Sequence, residues 1–217
     1  TIINEQVNDA MRLDTFRIFS FGDTGGASAD YNMLDGMWTQ LIAGVAASCV
    51  NRTSTFTYGV ALADGEALAA CKAAYEGSAI ILKQLPKSMK YIAVTGAVYE
   101  NLLSSYESNT TGSDLQFTNL TNGQGESEAN LSYRGIKVVP VYAWDDSLAD
   151  ADNPLFGTVD NLLIYTTKDN HAAGFMKQSD SETFQGKYDW KDEKYYIRGH
   201  YAMGYTYLHC DLQSIGY

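Results

Sequence analysis

Proline is nearly missing from this chain, with three residues in 217. That excludes a proline-rich linker protein. Histidine is equally scarce: His171, His200 and His209. None stands in H-E-x-x-H spacing, and on a strand His200 and His209 fall on opposite faces, so they are expected to be structural or surface residues with no metal bound. The three cysteines are Cys49, Cys71 and Cys210. Their odd number and the lack of C-x-x-C argue against a disulfide framework and a zinc knuckle. The expectation is three small buried hydrophobes in a reducing compartment. No apolar run approaches the roughly 18 residues of a membrane span, and the stretch at Ala79–Leu82 is far too short. No nucleophile-elbow, P-loop or dinucleotide-fold glycine motif occurs. Nothing in the pattern therefore names a catalytic residue or a cofactor.

Positive charge is also in short supply. Fifteen basic residues face 26 acidic ones, for a net charge of −11. Residues 101–186 carry 4 basic and 12 acidic groups, so the excess sits in the middle of the chain. Such a surface repels phosphate backbones, which are bound through Lys and Arg, and no specific nucleic-acid site is expected. What is present is an ordinary globular balance, 45% apolar and 19% charged, in a length that suits one large domain or two small ones. Thr1-Ile2-Ile3-Asn4 lacks the basic and apolar regions of a secretory signal peptide. The expectation is a chain that begins inside a longer product.

Periodicity orders the elements. Val7, Ala10, Met11 and Ile18 predict a helix over 4–18, and the alternation of 16–21 predicts a short strand. The turn Gly22-Asp23-Thr24-Gly25-Gly26 follows. A helix from Met33 to Cys49, capped by Asp30, has an unbroken i, i+3, i+4 pattern. Thr53–Val60 reads as strand. A third helix spans 65–85, with Asp64 as its cap and Pro86 as its stop. Tyr91–Thr95 is a buried strand and 97–106 a short helix. Residues 107–130 read as a long polar loop. Tyr133–Tyr142 returns to strand around Gly135, and an acidic loop runs from Asp145 to Asn153. Leu162–Thr166 is a strand, and 183–208 reads as long strands. Helices dominate the first half and strands the second, so the class is α+β.

Several stretches invite a chemical reading. Asp23-Thr24-Gly25 is the triplet of aspartic proteases, whose chemistry needs two carboxylates sharing a proton. No second triplet occurs, so such an enzyme would have to be a homodimer using Asp23. The alternative is a plain turn. Asp145, Asp146, Asp150 and Asp152 make a loose acidic loop, but Pro154 and Leu155 stand where a calcium loop needs other residues. Sequons at Asn51, Asn109, Asn119 and Asn130 follow from the Asn and Thr content. The aromatic final third, including Tyr188, Trp190, Tyr195, Tyr196 and Tyr201, suits strands and interfaces; carbohydrate binding through Tyr195 or Trp190 is the competing reading.

A resemblance covers nearly the whole chain. Phe19-Ser-Phe-Gly-Asp-Thr24 followed by Asp35-Gly-Met-Trp-Thr-Gln-Leu41, Tyr91-Ile-Ala-Val-Thr95 with Val98-Tyr99, Leu131-Ser-Tyr-Arg-Gly-Ile-Lys-Val-Val-Pro140, and Leu163-Ile-Tyr-Thr-Thr-Lys-Asp-Asn170 with Gly174 carry it. So do Tyr188-Asp-Trp190 and the stretch from Arg198 to Tyr207. Together they resemble the Hong Kong 97-type major capsid proteins of tailed phages and prophages, those of gut Bacteroidetes in particular. The resemblance implies a structural, non-enzymatic shell subunit. It would form hexamers and pentamers of an icosahedral head around double-stranded DNA, in a virion assembled in the bacterial host cytoplasm. It implies a peripheral domain with a spine-helix remnant in 1–90 and an axial domain with a central mixed sheet and polar loops in 91–182. Strands returning to the peripheral domain would occupy 183–207, and a C-terminal tail 208–217. The family's N-terminal arm, extended loop and most of its spine helix are expected to precede the match. Implied partners are copies of itself, a scaffold, a maturation protease, a portal and decoration proteins, with no membrane. An encapsulin-like protein shell is the related alternative.

Overall fold

The structure, a computed structural model, describes residues 2–108, 115–121, 127–175, 185–189, 191, 194–198 and 203–217. A seven-stranded mixed sheet organises it. Its strands are β1 (Asn51–Ser54), β2 (Lys90–Val94), β3 (Leu115–Thr121), β4 (Ser127–Tyr133), β5 (Ile136–Pro140), β6 (Leu163–Thr167) and β11 (Gln213–Gly216). The order across the sheet is β1-β11-β6-β2-β5-β4-β3. Only the β1–β11 and β2–β5 pairs are parallel.

Alternation along the strands buries both faces, as a central sheet requires. Ile92, Val94, Leu163 and Tyr165 face one core, shared with α3 (Glu66–Gly77) and α5 (Gly96–Ser108). Ala93, Ile164 and Ile215 face the other. That second core takes Phe21 from α1 (Ile2–Phe21), Trp38 and Leu41 from α2 (Met37–Ala46), and Trp144 and Leu148 from α6 (Tyr142–Leu148). Trp38 and Trp144 meet edge-to-face at 5.4 Å, a favoured aromatic geometry. Short antiparallel pairs, β7 (His171–Phe175) with β10 (Met203–Tyr207) and β8 (Gln185–Asp189) with β9 (Lys194–Arg198), form two further sheets.

Several expectations hold. The α+β class, the strand at Tyr91, the helix after it and the stop at Pro86 are all present. Others are corrected. Residues 16–21 are the last turns of α1 and not a strand. Ile18 and Phe21 are both buried there, and an i, i+3 pair serves a helix face as well as alternation serves a strand. The second helix begins at Met37 with Gly36 at its N-cap, so Asp30 caps nothing. Residues before it are turned back by the Gly36 N–H, which donates to the Gly22 carbonyl at 2.8 Å. The third helix stops at Gly77 and resumes as α4 (Ile80–Gln84), because Ser78 is extended, with ψ 155°. Gly65, with φ 78°, takes the N-cap expected of Asp64.

The strand predicted over 53–60 is only Asn51–Ser54. The polar 107–130 stretch contains the β3–β4 hairpin; its residues 109–114 and 122–126 lie outside the described residues. Its Thr and Asn residues read as loop by composition, and cross-strand pairing makes them strand, with Ser132 and Tyr133 joining the hairpin to β5. The Tyr133–Tyr142 strand is two segments folded at Arg134-Gly135. Both residues have positive φ (50° and 78°), the left-handed pair that a two-residue hairpin turn needs. The first part of the acidic loop is the end of α6. The 208–217 stretch, read as a tail, includes β11, fully buried between β1 and β6. Cys49 and Cys210 are joined in a disulfide, with Cα atoms 5.5 Å apart across 161 residues of sequence. Only Cys71 is free, and it is buried as expected. An odd count and a wide separation hid the pair.

Candidate functional site

Strand directions define two ends of the sheet. β1, β11, β2 and β5 all end on one side, and β6 starts there. Three connections gather at that end: 22–36, 55–66 and 141–162. Together they hold ten carboxylates and no Lys, Arg or His.

Asp23, the protease candidate, sits in the first of them. Its Oδ1 accepts the Gly25 N–H at 2.9 Å, an Asx turn. The neighbouring Asp35 accepts both the N–H (2.9 Å) and the hydroxyl (2.7 Å) of Thr24, which lowers its pKa. The two carboxylates each hold a turn together. Gly22 is crowded rather than flexible: a Cβ there would stand 2.7 Å from the Ile18 carbonyl oxygen and still closer to that of Leu34.

Tyr31 ties this turn to the third connection. Its hydroxyl donates to Asp150 Oδ2 at 3.0 Å, and burial with that bond pushes its pKa up to about 12. The Arg17 guanidinium lies 3.5 Å from the same carboxylate and 5.1 Å from the Tyr31 ring. Asp150 is held below the usual carboxylate range, first by the Asp152 N–H, then by the Tyr31 hydroxyl and Arg17. A cleft of about 350 Å³ opens between Ser28 and Tyr31 on one side and Asp152 and Pro154 on the other. Asp145 Oδ2 accepts the Gly96 N–H at 2.7 Å, capping α5 from α6. Burial raises its pKa. Asp160 accepts the Gly59 N–H at 2.8 Å. The acidic loop is thus a set of backbone ties, and among the described residues no group of three or more His, Cys, Asp or Glu is arranged to hold a metal.

The Thr166-Thr-Lys-Asp-Asn170 stretch lies at the other end. Thr166 Oγ1 donates to the Leu212 carbonyl at 2.9 Å. Asn170 is buried and touches the last segment of the chain through Gln213 Oε1 (3.3 Å) and the His209 N–H (2.9 Å). His171 stacks on Tyr205, hydrogen-bonds its hydroxyl, and reaches Thr166 Oγ1 at 3.2 Å. Burial pushes its pKa down to about 4. No sequence signal marked these residues as a unit, because they meet only through tertiary pairing. Of the other candidates, Asn51 uses its side-chain nitrogen on the Gly77 carbonyl. In the β3–β4 ladder Asn119 pairs with Ala129 and Asn130 with Thr118. His200, Asn109, Trp190 and Tyr201 lie outside the described residues. Tyr195 and Tyr196 lie on β9, opposite Tyr188 and Lys187.

No family model matches the chain, and no curated protein matches it. The fold is similar to that of a chain in a solved satellite phage P4 procapsid including the size determination (Sid) protein. The TM-score is 0.56 and the sequence identity 12%. The likeness covers 99% of this chain and 65% of that one, so this chain spans just under two thirds of its neighbour's length. The chain therefore shares an α+β fold with a mixed sheet with that procapsid chain. No described helix is long and apolar enough to cross a membrane.

Proposed function

We propose that this chain is the shell-forming part of a Hong Kong 97-type major capsid subunit. It self-assembles into the hexamers and pentamers of a phage head enclosing double-stranded DNA. The observation that carries the proposal is the likeness of 99% of the chain to a chain of a phage procapsid. The sequence resemblance to Hong Kong 97-type major capsid proteins supports the same reading. On this reading α1 is the spine-helix remnant of a peripheral domain in 1–90, and 91–182 is the axial domain. The seven-stranded sheet joins the two. The subunit is a structural protein of the virion, and scaffold, maturation protease, portal and decoration proteins are its further partners.

A shell subunit needs many weak contacts repeated by symmetry. It also needs walls that do not hold the genome too tightly, and a net charge of −11 suits that. The hydrogen bonding of Asp23 and Asp35 favours a structural turn over a protease dyad.

Negative-stain electron microscopy of the expressed gene product tests the proposal. Closed shells, or five- and six-fold rings, are the expected result. Dispersed monomers at every salt and pH would overturn it. Nuclease-resistant DNA inside the shells separates a virus from an encapsulin-like compartment, which would hold protein.

A further inference from the structure

The end of the sheet opposite the acidic loops carries more basic than acidic groups, with Lys83, Lys87, Arg134, Lys137 and Lys168 beside Glu76, Asp169 and Asp211. α4, Lys87–Met89, the Arg134-Gly135 turn and Lys168 converge there. The Lys168 N–H donates to the Met89 carbonyl at 2.9 Å, and Lys87 Nζ donates to the Arg134 carbonyl at 2.6 Å. Lys137 sits beside Tyr91 at the start of the β2–β5 pair. Lys87, Lys137 and Lys168 are all exposed. Lys83 and Lys87 spend hydrogen bonds on backbone carbonyls and form no ion pair with any described carboxylate.

Each end also presents apolar side chains to water. At the basic end Ile80 is 71% and Ile81 57% exposed, on a helix whose Leu82 is fully buried. At the acidic end Tyr58, Val60, Tyr142 and Phe156 are exposed among the carboxylates. An apolar centre within a charged rim is the anatomy of a protein interface. A five-residue strand spans about 17 Å. At physiological ionic strength charge is screened over about 8 Å, so the two ends do not neutralise each other within one molecule.

We infer that the acidic end of this chain docks on the basic end of a second copy, in a head-to-tail contact centred on Ile80 and Ile81. The rims match in sign only in that arrangement. A two-fold dimer through either end would bring like charges together. Head-to-tail contacts are heterologous and close into rings when the rotation allows. The inference rests on the shell-subunit reading and specifies which surfaces of the subunit meet. Oppositely charged rims govern encounter and partner choice more than final affinity.

The test uses the 217-residue chain and two charge-reversed forms. One carries Lys87→Glu, Lys137→Glu and Lys168→Glu. The other carries Asp64→Lys, Asp146→Lys and Asp152→Lys, all exposed positions. Self-association is followed by sedimentation velocity from low to high salt. The parent should associate, and more weakly as salt rises. Each reversed form alone should lose about tenfold or more in association. An equimolar mixture should regain it, since each form then offers the other an opposite rim at both contacts. Recovery in the mixture also shows that both forms are folded. A parent that associates while the reversed forms associate equally well, or fail to recover on mixing, overturns this contact and leaves the shell reading standing. A parent that never associates removes both.

Discussion

The side-chain oxygen of Asn170 accepts the backbone N–H of His209 at 2.9 Å, although 39 residues separate them. The same carboxamide donates to Gln213 Oε1 at 3.3 Å, and the Asn170 carbonyl accepts the Leu208 N–H at 2.9 Å. One buried residue thus steers the chain out of β10 and into β11. The strand it delivers fills the gap between β1 and β6, so the C-terminal end is an internal part of the sheet.

Asn170→Ala should therefore cost about 2–3 kcal/mol of stability. It leaves the buried Gln213 Oε1 without its Asn170 donor and the part-buried His209 N–H without its acceptor. Urea unfolding measures the change. A loss within 0.5 kcal/mol would show that the segment is held by β11 pairing alone.

The Cys49–Cys210 disulfide fastens the turn after α2 to the approach of β11. It closes a loop of about 160 residues, for which the chain-entropy model gives about 5 kcal/mol as an upper figure and measured bridges give about 2–4. Reduction should lower the melting temperature, and Cys49→Ser should melt at the reduced protein's temperature with no further response to reductant. An unreduced protein that already shows three free thiols would contradict the bridge.

Acid should loosen the β6–β7 corner through His171. Burial beside Tyr205 and Thr166 holds its folded pKa at about 4, below the usual 6.5. The unfolded chain therefore binds the proton more readily. This contribution is complete above pH 6.5 and is lost as pH falls toward 4, by at most about 3 kcal/mol. Asp145 runs the other way: its raised pKa makes neutral pH the costly side. Comparing parent with His171→Gln isolates the histidine. The variant should show a shallower stability slope between pH 6.5 and 4, and equal slopes would refute the assignment.

Gly22 and Gly25 should respond differently to alanine. At Gly22 the new methyl meets the carbonyls of Ile18 and Leu34, both backbone, and a loss of about 3 kcal/mol or more is expected. At Gly25 the nearest atom outside its neighbours is Asp23 Oδ1 at 3.3 Å, so the change is expected to be small. Thermal unfolding of the two variants checks the pair. An equally severe Gly25→Ala would point to a use of the Asp-Thr-Gly triplet beyond its turn.

Sequence alone determined what depends on local period and composition. The strand at Tyr91, the helices around Leu41 and Cys71, the stop at Pro86 and the acidic middle follow from neighbours a few residues apart. It also carried the resemblance to a capsid fold. Tertiary structure decided the rest. Whether 16–21 is helix or strand depends on which core Ile18 and Phe21 meet. The Thr- and Asn-rich hairpin becomes a sheet edge only because β5 offers it a partner. Cys49 finds Cys210, and Asn170 finds His209, across distances no periodic pattern spans. The opposed acidic and basic ends exist only once strand directions bring separate loops together. Charge and hydrogen-bond partners are properties of position in space, and a sequence sets them through the fold rather than directly.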